Sequence, residues 1–256
     1  MPDIPVEHWI AVTIPLSYAA LVAIERCCDT GWKWPPQRGW ELLGVACFML
    51  QTLINGAVSA SLGRLFPGVH AFDAMQLGLA GAIAVGFLVQ TLGNALLHRA
   101  YHASDFLWRF VHQAHHAPAR MGVSGVMLQS PAEMLCAAVM FVATTRFVLG
   151  LDPVATMACA AIASFYGMFQ HANLRTPRWL GFVIQRPEQH CEHHRRGVHA
   201  GNYSDFPPWD LCWNAFSNPH DFVGELGFGG ATGVVAVLAG RDVGSERATR
   251  GQDRSL

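Results

Sequence analysis

From Ala74 to Leu97 the chain carries no charged side chain. A helix from Met75 to His102 would be about 42 Å long at 1.5 Å per residue. A bilayer's hydrocarbon core is about 30 Å thick, so one end of such a helix must stand in water. That end carries His98 and His102. An apolar rod with a histidine pair at its tip restricts the chain to folds that present histidines at a membrane edge.

The rest of the sequence has the same character. Apolar residues make up 52% of the 256 residues and charged ones 14%, against about 25% charged in soluble domains. Further apolar runs cover Trp9 to Ile24, Leu42 to Ala60, Pro131 to Leu149 and Pro153 to Gln170. The first is short for a span of about 20 residues. Only Gly150, Leu151 and Asp152 separate the last two, which predicts a tight helical hairpin that enters and leaves on one side. The segments from His98 to Gln129 and from His171 to Asp221 then share that side. They hold Arg99, Arg109, Arg120, Arg175, Arg178, Arg186, Arg195 and Arg196, and the first loop on that side holds Arg26, Lys33 and Arg38. Opposite segments hold little beyond Arg64, so the positive-inside rule places the histidines in the cytoplasm. The expected fold is all-α. It is an integral membrane bundle of about four to five spanning or hairpin helices, with a cytoplasmic, histidine-lined helical cap.

Residues 1–240 read as one membrane-embedded domain and 241–256 as a disordered polar tail. The run Ala231 to Ala239 is too short to span, and Met1 to Glu7 lacks the basic start of a signal peptide. A net charge of −1 gives no broad basic surface for nucleic acid. The 7 cysteines are scattered without a CxxC pair, against a disulfide framework or zinc ribbon.

The chain has 13 histidines, and most fall in three clusters: His98 and His102; His112, His115 and His116; His190, His193 and His194. Residues three and four apart share a helix face, so each cluster offers two or three imidazoles to one point. Ser104 and Asp105 are placed to cap a helix carrying the second cluster, which Pro118 would end. A third helix would start near Pro187. These histidines exceed what one metal takes, which points to two metals. His171, at the foot of the hairpin, and His199 are the expected ninth and tenth ligands. Asn173 and Asn202 are candidates to fix ring orientation. His8, His70 and His220 read as ordinary, and Cys191 and Glu192 as packing or supporting groups. All-nitrogen ligation suits iron, copper, zinc or nickel. The Glu-x-x-His pairs of soluble di-iron bundles do not occur.

HxxxH, HxxHH and a late HxxHH among apolar spans resemble the fatty acid hydroxylase and sterol desaturase superfamily of membrane di-iron oxygenases. The resemblance covers Leu97 to Phe216. Its signature falls on His98 and His102, on His112, His115 and His116, and on His190, His193 and His194, with His171 as the additional histidine between the later motifs. Asn202, Tyr203, Trp209 and Asp210 are similar to the trailing elements, with Asp210 a further supporting residue. Ser204 stands where glycine is common, and CWNAF follows Asp210 where FGT is usual.

The resemblance implies two non-haem iron ions, O2 as co-substrate, and hydroxylation or desaturation of an unactivated C–H bond in a fatty acyl lipid, sterol or carotenoid. Hydroxylation is the preferred expectation. Two electrons must come from a separate donor of ferredoxin or cytochrome type, since the chain has no fused haem domain, iron–sulfur pattern or GxGxxG. The main alternative is a histidine-rich membrane metal transporter or carrier, against which the ligands lie outside the spans. A haem-binding electron carrier would need single opposed histidines within the spans.

Overall fold

Four segments are long and apolar enough to cross a membrane: Val6–Cys27, Glu41–Leu65, Ala74–Ala103 and Pro131–Val148. They belong to a computed structural model that describes residues 4–28, 30–36, 38–228, 237, 240 and 241. The helices are α1 (Val6–Cys27), α2 (Trp40–Leu65), α3 (Gly78–Ala103), α4 (Asp105–Leu107), α5 (Pro131–Val142), α6 (Pro153–His171), α7 (Pro187–His193) and α8 (Pro208–Cys212). No strand occurs among the described residues; Arg195 and Leu226 form an isolated bridge. The expected tail from 242 onward and most of the Ala231–Ala239 run lie outside the described residues.

Local chemistry sets the starts of the helices. Ser130 Oγ accepts from Glu133 N at 3.1 Å, and Asp152 Oδ1 accepts from Ala155 N at 2.7 Å. Each cap precedes a proline at the first helical position, where the missing N–H costs nothing. The α5–α6 hairpin is as tight as expected. Gly150 turns it at φ +60°, with no room for a Cβ, which would sit 2.9 Å from Phe72 O. There the loop after α2 lies along the π-helical segment Ala143–Val148 that continues α5 into the turn: Ala71, Phe72 and Ala74 donate backbone hydrogen bonds to Phe147, Val148 and Leu149.

α6 packs inside the bundle against α1 and α3. Glycines of α3 allow close approach: a Cβ on Gly86 would lie 2.6 Å from Cys159 Sγ of α6, and one on Gly93 2.9 Å from Met140 Sδ of α5. On the outside, Leu16, Leu42 and Leu53 are exposed, as apolar helix faces are when their solvent is lipid.

At the opposite end from Gly150 the chain knots itself together. Glu25 Oε2, near the end of α1, accepts from Val123 N and Asn173 N, each at 3.0 Å. Trp32 Nε1 donates to Asp221 Oδ1 at 2.9 Å and Trp34 Nε1 to Asn173 Oδ1 at 3.0 Å. The loop after α1 therefore shares an end with the histidine-bearing segments. α7 is fixed there by Arg186, which is 1% exposed. It donates to Thr176 O, Thr176 Oγ1, Asn218 Oδ1 and Pro219 O and pairs with buried Glu188 at 2.8 Å.

One element departs from expectation. The second histidine cluster does not ride on a regular helix from Ser104 to Pro118. Ser104 does cap α4, accepting from Leu107 N at 3.3 Å. The chain then widens into a π-helical turn over Trp108–His112, closed by Gln113 N to Trp108 O at 2.7 Å. Turns follow through His116. The wider turn and those after it spread the cluster over two centres rather than one helix face. Such turns recur at functional sites.

Candidate metal centre

Nine histidines converge into two groups. His98, His102, His112, His116 and His193 form one; His115, His171, His190 and His194 form the other, and within each group one nitrogen from every ring lies within 4.8 Å of the others. Each group draws on at least three separate segments: the end of α3, the π-turn region and α7 for the first, with the end of α6 joining the second.

The rings are held from behind. His98 Nδ1 donates to Tyr203 O at 2.7 Å, His171 Nδ1 to Gly167 O at 2.8 Å and His193 Nδ1 to Gly201 O at 2.7 Å. Gly201 reaches this position at φ +75°, a conformation glycine adopts without penalty. His112 Nδ1 donates to Glu133 Oε1 at 2.7 Å and His190 Nδ1 to Gln185 Oε1 at 3.0 Å. The Gln185 amide is fixed the right way round because its Nε2 donates to Asn202 O. A carbonyl only accepts, so the contacts of His98, His171, His190 and His193 place the hydrogen on Nδ1 and leave a lone pair on Nε2.

The Nε2 atoms then face one another. His171 and His190 Nε2 are 2.9 Å apart, His190 and His194 Nε2 3.0 Å, and His112 and His116 Nε2 3.1 Å. For His171 and His190 both hydrogens are committed to Nδ1, so two lone pairs meet at that distance. They repel unless a cation lies between the rings. Nitrogens about 2.1 Å from a metal and at right angles to each other would stand about 3.0 Å apart. His193 Nε2 is buried without a hydrogen-bond partner among the described residues. The donor set fits metal ions with imidazole ligands.

Burial makes the rings better ligands. It holds His112, His115, His116, His190, His193 and His194 well below the usual histidine range, and neighbouring rings push in the same direction. Neutral imidazole is the form that binds metal. Burial also pushes the Asp210 carboxyl up to about 7, against hydrogen bonds from Ser204 and Tyr203 N–H.

A family model described as fatty acid hydroxylase matches residues 83–214. That stretch includes every residue of both histidine groups. The chain belongs to the fatty acid hydroxylase family. No curated relative and no solved structure matches it.

In this family member the remaining expected site residues take different places. His199 is outside both groups. Its Nδ1 lies 3.0 Å from His116 Nδ1 and its ring against Trp108 and Phe228, one imidazole behind the centre. Distance along the chain hid this: the left-handed residues after α7, His199 at φ 44° and Asn202 at φ 45°, turn the backbone back beneath the rings. Asn173 hydrogen-bonds to no histidine ring among the described residues; its Oδ1 accepts from Thr30 Oγ1 and Trp34 Nε1. Asn202 acts at one remove, through its carbonyl on Gln185. Asp210 accepts from Tyr203 N and Ser204 N, each at 2.9 Å, and so steadies the strip whose Tyr203 carbonyl holds His98. Cys191 packs with Met121, Phe222 and Leu226, and Glu192 pairs with Arg195.

Glu133 and Gln185 contact ligand-group rings and carry no sequence signal of that role. Glu133 opens an apolar run, and Gln185 lies outside every histidine motif.

A cavity of about 1150 Å³ touches His98 and His112 of one group and His115, His171 and His190 of the other. From there it follows α6 back through Gly167, Ala163, Ala160 and Thr156 to Pro153. This is the whole 19-residue helix, about 28 Å long. Glu7, His70 and Arg146 border the far end.

Proposed function

We propose that the protein is a membrane di-iron oxygenase that hydroxylates an unactivated C–H bond of a lipid-type substrate. The observation that carries the reading is that both histidine groups open onto one long cavity inside an apolar bundle. His98, His102, His112, His116 and His193 would hold one iron, and His115, His171, His190 and His194 the other. Iron bound there supplies activation of O2 and oxidation of the C–H bond. In hydroxylation one oxygen atom enters the substrate and the other leaves as water, at a cost of two electrons and two protons.

The chain's own groups bind and orient. The contacts from Tyr203, Glu133, Gly167, Gln185 and Gly201 fix the rings before any metal arrives. The buried imidazoles, held neutral, have no acid–base part. Apolar side chains such as Phe141, Val142, Met157 and Ala160 line the cavity away from the histidines, where they exclude water and receive a chain from the bilayer. A metal-carrier reading is weaker because those side chains give an ion nothing to bind.

His199, Asn202 and Asp210 act as supports. Electrons come from a separate ferredoxin- or cytochrome-type donor docking at the histidine end. The arginine-rich segments at that end favour its placement in the cytoplasm. The test is oxidation under heavy-isotope O2. Label in the alcohol product is expected; an alcohol whose oxygen comes from water would overturn the reading.

A further inference from the structure

After the last histidines the chain turns back toward the bilayer. Charged Asp73 and Asp152 mark the far edge of the bundle, beside the Gly150 turn. From there α6 runs about 28 Å to His171, close to the thickness of a hydrocarbon core. Asp205 accepts from Gln170 of α6 at 2.9 Å and from Asn94 of α3 at 2.7 Å. These three residues therefore lie at the level where the core ends. The next residues go deeper. The Phe206 ring lies 5.3 Å from Phe87, and Phe87 lies 5.3 Å from Tyr166 of α6. Phe87 is about 10 Å back along α3 from Asn94, and Tyr166 about 6 Å back along α6 from Gln170. Trp209 Nε1 donates to Thr91 Oγ1 at 3.0 Å, about 4 Å deeper than Asn94. The chain comes back up at Trp213, whose ring lies 4.6 Å from the Arg99 guanidinium, on the histidine side of Asn94.

Irregular backbone survives in hydrocarbon only where its polar groups find partners within the protein. This segment supplies them. Asn202 N donates to Ala215 O at 2.8 Å and closes the loop at its mouth. Tyr203 N and Ser204 N donate to Asp210, each at 2.9 Å, and Phe206 N donates to Ser204 Oγ at 3.1 Å. Pro207 and Pro208 have no N–H to satisfy. Trp209 N donates to Phe206 O and Leu211 N to Pro207 O, both at 3.1 Å, while Trp213 N and Ala215 N donate to Asp210 O. The outer side is apolar. Leu211 is 51% exposed and Cys212 is exposed. Leu88, next to Phe87 on α3, is exposed too, so the lipid-facing surface of α3 has a counterpart on α8.

From this depth and this self-contained hydrogen bonding we propose that Phe206–Cys212 is a re-entrant loop, docked among the acyl chains of the leaflet on the histidine side. Its partner is lipid, not water or another protein. The loop begins beside Tyr203, whose carbonyl holds His98, so the bilayer steadies the segment behind the first histidine group. This holds whatever reaction the centre catalyses.

Spin labelling of the full chain in phosphatidylcholine nanodiscs tests the depth. Cys27→Ala, Cys28→Ala, Cys47→Ala and Cys136→Ala leave Cys212 as the accessible thiol, with Cys159 and Cys191 buried. A nitroxide on Cys212 should collide severalfold more often with O2, which dissolves in hydrocarbon, than with a nickel chelate, which stays in water. Leu211→Cys, labelled after Cys212→Ala, should give the same result. Glu225→Cys in that background should give the reverse, since the Glu225 side chain is 73% exposed and pairs with Arg196. Nickel collisions at Cys212 equal to those at Glu225→Cys would put the loop in water and overturn the proposal. So would a label that neither probe reaches, the result expected if a second copy or a partner protein covers α8. The Cys212 label leaves the loop sequence unaltered, so the test stands even if Leu211→Cys does not fold.

Discussion

His112 Nδ1 and Glu133 Oε1 lie 2.7 Å apart with both side chains buried. The carboxylate comes from the first turn of α5 and the ring from the π-turn after α4. The start of an apolar helix thus sets the orientation of a ligand-group histidine. Losing such a partner typically costs 10–100-fold in metal affinity, about the range expected for Glu133→Ala. Glu133→Gln, which still accepts a hydrogen bond, should lose less. Metal titration monitored by absorbance gives both values.

Arg186 is the second non-histidine residue on which the centre depends. Arg186→Ala strands Glu188, which is 1% exposed, and should cost about 3–5 kcal/mol. Replacing both partners with apolar residues should recover part of that loss. Thermal unfolding in detergent measures the difference, and a double variant no better than the single one would contradict the assignment.

The histidine clusters were legible because side chains three and four apart must share a helix face, and nine of the ten expected ligands do meet. The hairpin was legible because only Gly150, Leu151 and Asp152 separate its two apolar runs. What holds the rings was hidden. Tyr203, Gly167 and Gly201 act through backbone carbonyls, which no side chain marks in the sequence. Glu133 looks like an N-terminal helix acid, which it also is. His199 resembles a ligand in sequence, yet left-handed backbone turns it behind His116.

Gly86 should tolerate little. A Cβ there would lie 2.6 Å from Cys159 Sγ and 3.0 Å from Leu151 Cδ1. Gly86→Val should destabilise the α3–α6 contact by about 1–3 kcal/mol. Gly56 has open space at its Cβ position, so Gly56→Ala should change the melting temperature little.

Acid should act on the metal-free protein. Burial, then neighbouring rings, puts His112, His116, His190 and His194 below their unfolded value of about 6.5. The unfolded chain then binds more protons below that pH, so stability present above it falls as pH drops toward the folded values. The melting temperature of metal-free protein should decline from about pH 6.5 downward. Metal-loaded protein should resist, since the ion holds the rings neutral. Scanning fluorimetry across pH tests both forms; a flat metal-free profile would contradict the burial argument.

Counting iron tests the centre most directly. With two histidine groups, the purified protein should carry two irons per chain by mass spectrometry. His112→Ala and His194→Ala, one in each group, should each lower that number and abolish oxidation. One equivalent of copper or zinc, or unchanged iron in both variants, would contradict a di-iron centre.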